Sequence, residues 1–189
     1  AMVWRLEGQG PPAHQVWLPP LAEPPSLDRL LPPLGADPGR GLSPGGWPGN
    51  GRLTVPVGVV DRPFDQRRDP LWANLSGAAG NAIVVGAPRS GKSTLLRALI
   101  GSLALTHTPA EVQIYCLDFG GGTLTGLVDL PHVGSVASRR DVALCRRTLA
   151  RLVALLDERE QAFQRLGLDS MAAFRRRFGA DGDGSGFGD

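Results

Sequence analysis

The chain has 189 residues, 42% hydrophobic and 20% charged, with a formal net charge of +2 and two cysteines. That length allows one domain with extensions and a core of real size. The near-neutral charge gives no argument for nucleic acid or an acidic membrane as partner, and no stretch reaches the roughly eighteen apolar residues of a membrane span.

Eleven of the seventeen prolines fall in the first fifty residues, several as pairs such as Pro11-Pro12, Pro19-Pro20, Pro24-Pro25 and Pro32-Pro33. Proline removes a backbone donor and fixes φ, so neither a long helix nor a central strand can form there. Yet Val16, Trp17, Leu18, Leu21, Leu27, Leu30, Leu31 and Leu34 would be costly to leave in water. Residues 1–52 therefore read as a Pro/Gly-rich strap and linker: an extended strap on a folded body, one helical turn near Ser26 to Leu31, and a flexible linker from Gly39 to Gly51.

The folded part, 53–189, opens with two strand-like runs, Leu53 to Val60 and Leu71 to Leu75. Pro56 is expected to hold the first at a sheet edge. Ala82-Ile83-Val84-Val85 reads as a short buried parallel strand. It leads into Gly86-Ala87-Pro88-Arg89-Ser90-Gly91-Lys92-Ser93, a complete G-x-x-x-x-G-K-S phosphate loop. Lys92 is the sole lysine of the chain, and the other nineteen basic residues are arginine. A lysine here is a compact point charge for the β- and γ-phosphates, a task for which a planar guanidinium fork has the wrong shape. Leu96, Leu99, Ile100 and Leu103 then recur at helical spacing, until Thr106-His107-Thr108-Pro109 stops the helix. Strand, glycine loop and helix together aim free amides and a helix dipole at an anion. The expected ligand is ATP with Mg2+. The backbone from Gly86 to Ser93 cradles the phosphates, the Ser93 hydroxyl joins the Mg2+ shell, and Thr94 serves the α-phosphate.

Val112 to Asp118 reads as a second buried strand, ending in Asp118-Phe119-Gly120-Gly121-Gly122. Asp118 is the one strand-terminal acid in sight, and hence the candidate for a second Mg2+ contact. Ser138 with Asp141 resembles a capping box opening a long helix, in which Val142, Cys145, Leu149, Leu152, Val153, Leu156 and Phe163 line one face and read as core. A short helix, Ser170 to Phe178, precedes a Gly/Asp-rich end. The arginine pairs Arg67-Arg68, Arg139-Arg140 and Arg146-Arg147 read as solvated faces. Cys116 and Cys145 read as free, buried thiols rather than a disulfide. Asp181-Gly182-Asp183-Gly184-Ser185-Gly186 matches the first half of a calcium loop, with Asp189 at a plausible later ligand position but without the bidentate glutamate. His14, His107 and His132 have no metal-ligand spacing.

Val57-Gly58-Val59-Val60-Asp61-Arg62-Pro63-Phe64-Asp65-Gln66-Arg67-Arg68-Asp69-Pro70, residues 86–94, Leu117 to Gly122, and Leu130-Pro131-His132-Val133-Gly134-Ser135-Val136-Ala137 together resemble an FtsK/SpoIIIE-type ATPase domain. Within that family the chain is similar to the tandem ATPase domains of EccC, the motor of type VII (ESX) secretion. Val16-Trp17-Leu18-Pro19-Pro20-Leu21 resembles the lead-in to a downstream domain of that motor.

The resemblance implies an α/β fold of the P-loop NTPase (RecA/FtsK-like) kind, a mostly parallel sheet flanked by helices behind the Pro-rich strap. It also implies that the acidic Mg2+ strand lies beyond Asp189, so that the chain reads as a domain cut short before it and as weakly or not hydrolytic alone. The partners it implies are other ATPase domains of the same motor, secreted WXG-type substrates and a membrane secretion complex on its cytosolic side. A non-enzymatic docking module with ATP as structural ligand is the alternative. A DNA translocase, the activity of FtsK relatives, is disfavoured by the charge and the lack of a winged-helix segment.

Overall fold

A computed structural model describes residues 8, 10, 18–21, 23–77 and 80–178. Expectations for Val16, Trp17, His14 and the acidic segment from Asp181 to Asp189 lie outside them.

The strap is more ordered than a linker. After the one-turn helix α1 (Leu27–Leu30), strands β1 (Leu34–Asp37) and β2 (Gly41–Pro44) form an antiparallel hairpin, Leu34 opposite Pro44 and Asp37 opposite Gly41. The Asp37 carboxylate makes the turn by accepting from the amides of Gly39 (2.8 Å) and Arg40 (2.9 Å). Gly41–Pro44 of the expected linker is thus strand, with Ser43 and Pro44 buried.

Strands β3 (Thr54–Arg62) and β4 (Arg67–Asn74) pair antiparallel. The register slips between Pro56 and Gly58, so Val57 is an extra residue there, and the bulge accommodates the proline's missing N–H. The hairpin end carries exposed pairs, including Arg62 with Asp69 (2.6 Å) and Arg68 with Asp61 (3.8 Å). Such pairs do little for stability.

Helix α2 (Lys92–Thr106) follows the phosphate loop and is capped by Gly91. Its inner face is Ile100, Leu103 and Thr106, one turn later than the spacing suggested, since Leu96 is exposed. Strands β5 (Ile114–Asp118) and β6 (Val133–Ser138) are parallel, with Asp118 opposite Ser138. Ile100, Cys116, Leu124 and Val133 form the buried cluster between α2 and this pair. Helix α3 (Val142–Leu166) packs on β6, where Thr148 hydrogen-bonds Ser135 at 2.8 Å. Gly167 (φ 63°) ends α3, and α4 (Met171–Phe178) folds back to stack Phe174 on Phe163.

Two expectations are corrected. Residues 82–85 form no strand, and Ile83 (89%) and Val85 (88%) are exposed. A strand exists only through a neighbour that takes its backbone bonds, and no described residue does so here. Likewise the apolar stripe of α3 is not core: Val142, Leu149, Leu152, Val153 and Leu156 are all exposed, and the contact with β6 is made by the Thr148 side. The described strands make three two-stranded sheets, of which β5–β6 alone is parallel.

Candidate functional site: a phosphate loop on helix α2

The direction of α2 decides where its ends lie. The His132 ring bonds the His107 carbonyl (2.7 Å), and the Ile114 amide bonds the His132 carbonyl (2.8 Å). The C-terminal end of α2 thus sits beside the starts of β5 and β6. The helix is about 22 Å long and the strands nearly as long, so its N-terminus and the phosphate loop lie toward the carboxyl ends of the strands. Ligands of parallel α/β layers bind at that end.

The loop's shape is set by its glycines. A Cβ on Gly86 would lie 2.4 Å from the Ser90 hydroxyl and 3.3 Å from its Cβ, so a larger residue there has to displace the Ser90 side chain. Gly91 holds φ at 87°, and Arg89 adopts the left-handed region at φ 60°. The Ser90 amide closes the turn on the Ala87 carbonyl at 3.2 Å. Left-handed residues alternating along such a turn point successive N–H groups to one side, a concavity suited to an anion. The amides in the first turn of α2 have no intrahelical acceptor, and the helix dipole is positive there.

Lys92 folds over this concavity. Its ammonium donates to the carbonyls of Gly86 (2.9 Å) and Ala87 (2.6 Å) and has no carboxylate partner among the described residues. Two neutral carbonyls hold the charge in position without neutralising it. Ser93 and Thr94 occupy the first exposed turn, and Ala87, Pro88, Arg89 and Ser90 are exposed as well. The predicted binding residues, 86–94, are therefore brought together on one accessible loop.

Asp118 lies at the carboxyl end of β5, buried, and its carboxylate is turned into its own glycine loop. It accepts from the amides of Leu124 (2.9 Å) and Gly120 (3.0 Å). The Leu124 amide lowers its pKa most; burial opposes this, and the amides of Gly120, Gly122 and Gly121 add to the lowering, so the net direction is down. The same charge, with burial as the larger cause, raises the Cys116 thiol. Cys116 and Cys145 are both free. Among the described residues no cluster of three or more His, Cys, Asp or Glu could hold a metal. A hydroxyl and phosphate oxygens with waters are the donors a Mg2+ ion accepts, and Ser93 fits that part.

The opposite end of α2 is closed by the strap. Arg40 pairs with Glu111 at 2.6 Å and donates to the Thr106 carbonyl at 3.1 Å, while the Gly51 amide donates to the same carbonyl at 2.9 Å. Burial raises the Glu111 pKa, but the Thr108 amide and the Arg40 guanidinium outweigh it, and the net direction is down. Sequence reading missed this pair, which joins residues 71 positions apart.

Residues 47–187 match the FtsK/SpoIIIE family. The chain belongs to that family. It is 60% identical over its whole length to the ESX secretion system protein EccC of Thermomonospora curvata, and 52% identical over 93% of its length to the ESX-4 secretion system protein EccC4 of Mycobacterium tuberculosis. It spans 14% and 13% of those two proteins. The cytoplasmic domain of the T. curvata type VII secretion ATPase EccC superposes on 99% of the chain with a TM-score of 0.90 and 60% identity, the match covering 22% of that structure. A structure of T. curvata EccC (ATPases 2 and 3) in complex with a signal sequence peptide matches 85% of the chain and 29% of its own length, at TM-score 0.81 and 62% identity. The α/β, P-loop NTPase-like fold of this FtsK/SpoIIIE domain is shared with those EccC domains. Among the described residues no helix is long and apolar enough to cross a membrane.

Proposed function

We propose that this chain is an ATP-binding domain of a type VII secretion motor, one of the ATPase domains downstream of the first. The observation that carries the reading is Lys92, a lone ammonium held on two neutral carbonyls above a glycine-shaped turn at a helix N-terminus. An arriving triphosphate replaces those carbonyls. The amides from Gly86 to Ser93 hold its oxygens, Lys92 takes the β/γ charge, and Thr94 reaches the α-phosphate. Ser93 would hold Mg2+, which supplies charge neutralisation between the β- and γ-phosphates. Asp118 is assigned a structural part, closing the Gly120–Leu124 loop, because its carboxylate already accepts from that loop's amides. With Asp118 so engaged, this chain alone turns ATP over weakly or not at all.

The 60% identity to EccC supports work on the cytosolic side of a membrane secretion complex, beside other ATPase domains of the same motor, in the export of WXG-type proteins. A docking role alongside nucleotide binding is favoured by the relative solved with a signal sequence peptide. The net charge of +2 offers no footing for DNA.

The test is a pair of readings on the purified chain with ATP and Mg2+. The melting temperature is expected to rise with ATP by mass action while phosphate release stays at background. No thermal shift would reject the nucleotide site, and robust Mg2+-dependent turnover would return Asp118 to a catalytic part.

A further inference from the structure

At the carboxyl ends of β5 and β6 lies a cleft of about 450 Å3, lined by Asp118, Phe119, Gly121, Gly122, Ser138, Arg139 and Arg140. It exists because the parallel register sets Asp118 beside Ser138, so the two loops that follow leave the layer side by side. Arg40, Arg62, Arg67, Arg68 and Arg151 are paired with carboxylates. The guanidinium groups of Arg139 and Arg140 have no such partner among the described residues. They immediately precede the 25-residue helix α3, whose positive dipole end is capped by the Asp141 carboxylate, so the cationic character of the cleft comes from the two guanidinium groups. Phe119 stands half-exposed on the rim.

We propose that this cleft is a second ligand site, one that takes the carboxylate of an acidic peptide segment carrying an apolar side chain beside the acid. A phosphate chain is a poorer match on charge. The Asp118 carboxylate on the cleft floor repels a doubly charged group more than a singly charged one, and it already engages the amides of Gly120 and Leu124. The cations are planar forks, which a single carboxylate satisfies through paired hydrogen bonds. Phe119 then covers the neighbouring apolar group. The inference rests on the docking reading and gives it a place and a chemistry; the nucleotide site stands or falls separately.

The probe is the end-capped, fluorescein-labelled peptide Gly-Ser-Glu-Leu-Phe-Glu-Gly-Ser, with its Gln-for-Glu counterpart, followed by anisotropy on the whole chain with saturating ATP present. The wild type is expected to bind the Glu peptide roughly tenfold more tightly than the Gln peptide, and Arg139→Ala/Arg140→Ala to erase that difference. Affinity is expected to fall as salt rises from about 50 to about 300 mM. Both arginines are exposed, and an unchanged ATP-induced thermal shift in the double variant checks its fold. Equal affinity of wild type and double variant for the Glu peptide would overturn the site, even if the peptide bound elsewhere. So would competition by ATP, which would make the cleft part of the nucleotide site.

Discussion

The two ends of α2 handle charge in opposite ways. At the C-terminal end Arg40 and Glu111 are mostly buried and paired with each other, and the Thr106 carbonyl is closed by the strap. At the N-terminal end a single ammonium leans on two neutral carbonyls, on a loop open to solvent. A satisfied end stabilises the fold, whereas an end with spare charge and unused amides is stabilised further only by a ligand. Position on the same helix is no guide to role; the state of the hydrogen-bonding groups is.

The sharpest way to break the contrast is Gly86→Val. The side chain collides with Ser90, the turn opens, and the ATP-induced stabilisation, about 2.7 kcal/mol at a hundredfold excess over Kd, should vanish while apo stability changes little. Thermal melts with and without ATP measure it.

At the other end, Arg40→Ala leaves the Glu111 carboxylate without its cation and removes one of two donors to the Thr106 carbonyl, an expected loss of about 2 kcal/mol in urea unfolding with nucleotide affinity nearly unchanged. Asp118→Asn should cost about 1–2 kcal/mol by weakening the bonds to the Leu124 and Gly120 amides. Both carboxyls have folded pKa values below their unfolded ones. Their stabilisation is thus complete above the unfolded values and lost as pH falls through the folded ones. Wild-type stability should therefore drop between about pH 5 and pH 3, and Asp118→Asn should flatten that drop. Arg89→Gly, which removes a left-handed arginine, should be the mildest, with a gain of roughly 0.5 kcal/mol at most.

The phosphate loop was legible in the sequence because its signal is local: glycines at fixed offsets, one lysine, and a helix directly after. The same locality made β5, the α3 start and the turn of α1 readable. Asp141, rather than Ser138, caps α3, accepting from Leu144 at 2.8 Å. What failed were readings that need a partner. The β-branched run 82–85 has strand composition but no neighbour to pair with, and the α3 stripe has helical periodicity but nothing described to cover it. The β1–β2 hairpin hid behind prolines, since Asp37 alone signalled its turn. Arg139-Arg140 is exposed, as a solvated face should be, and the β5–β6 register, which no local pattern signals, also makes it one wall of a cleft.

The most direct measurement is a titration of a fluorescent ATP analogue into the wild type and Lys92→Ala. Saturable binding by the wild type, weakened at least tenfold or so in the variant, is the expected result. Equal affinity would mean that the ammonium at the head of α2 grips no phosphate.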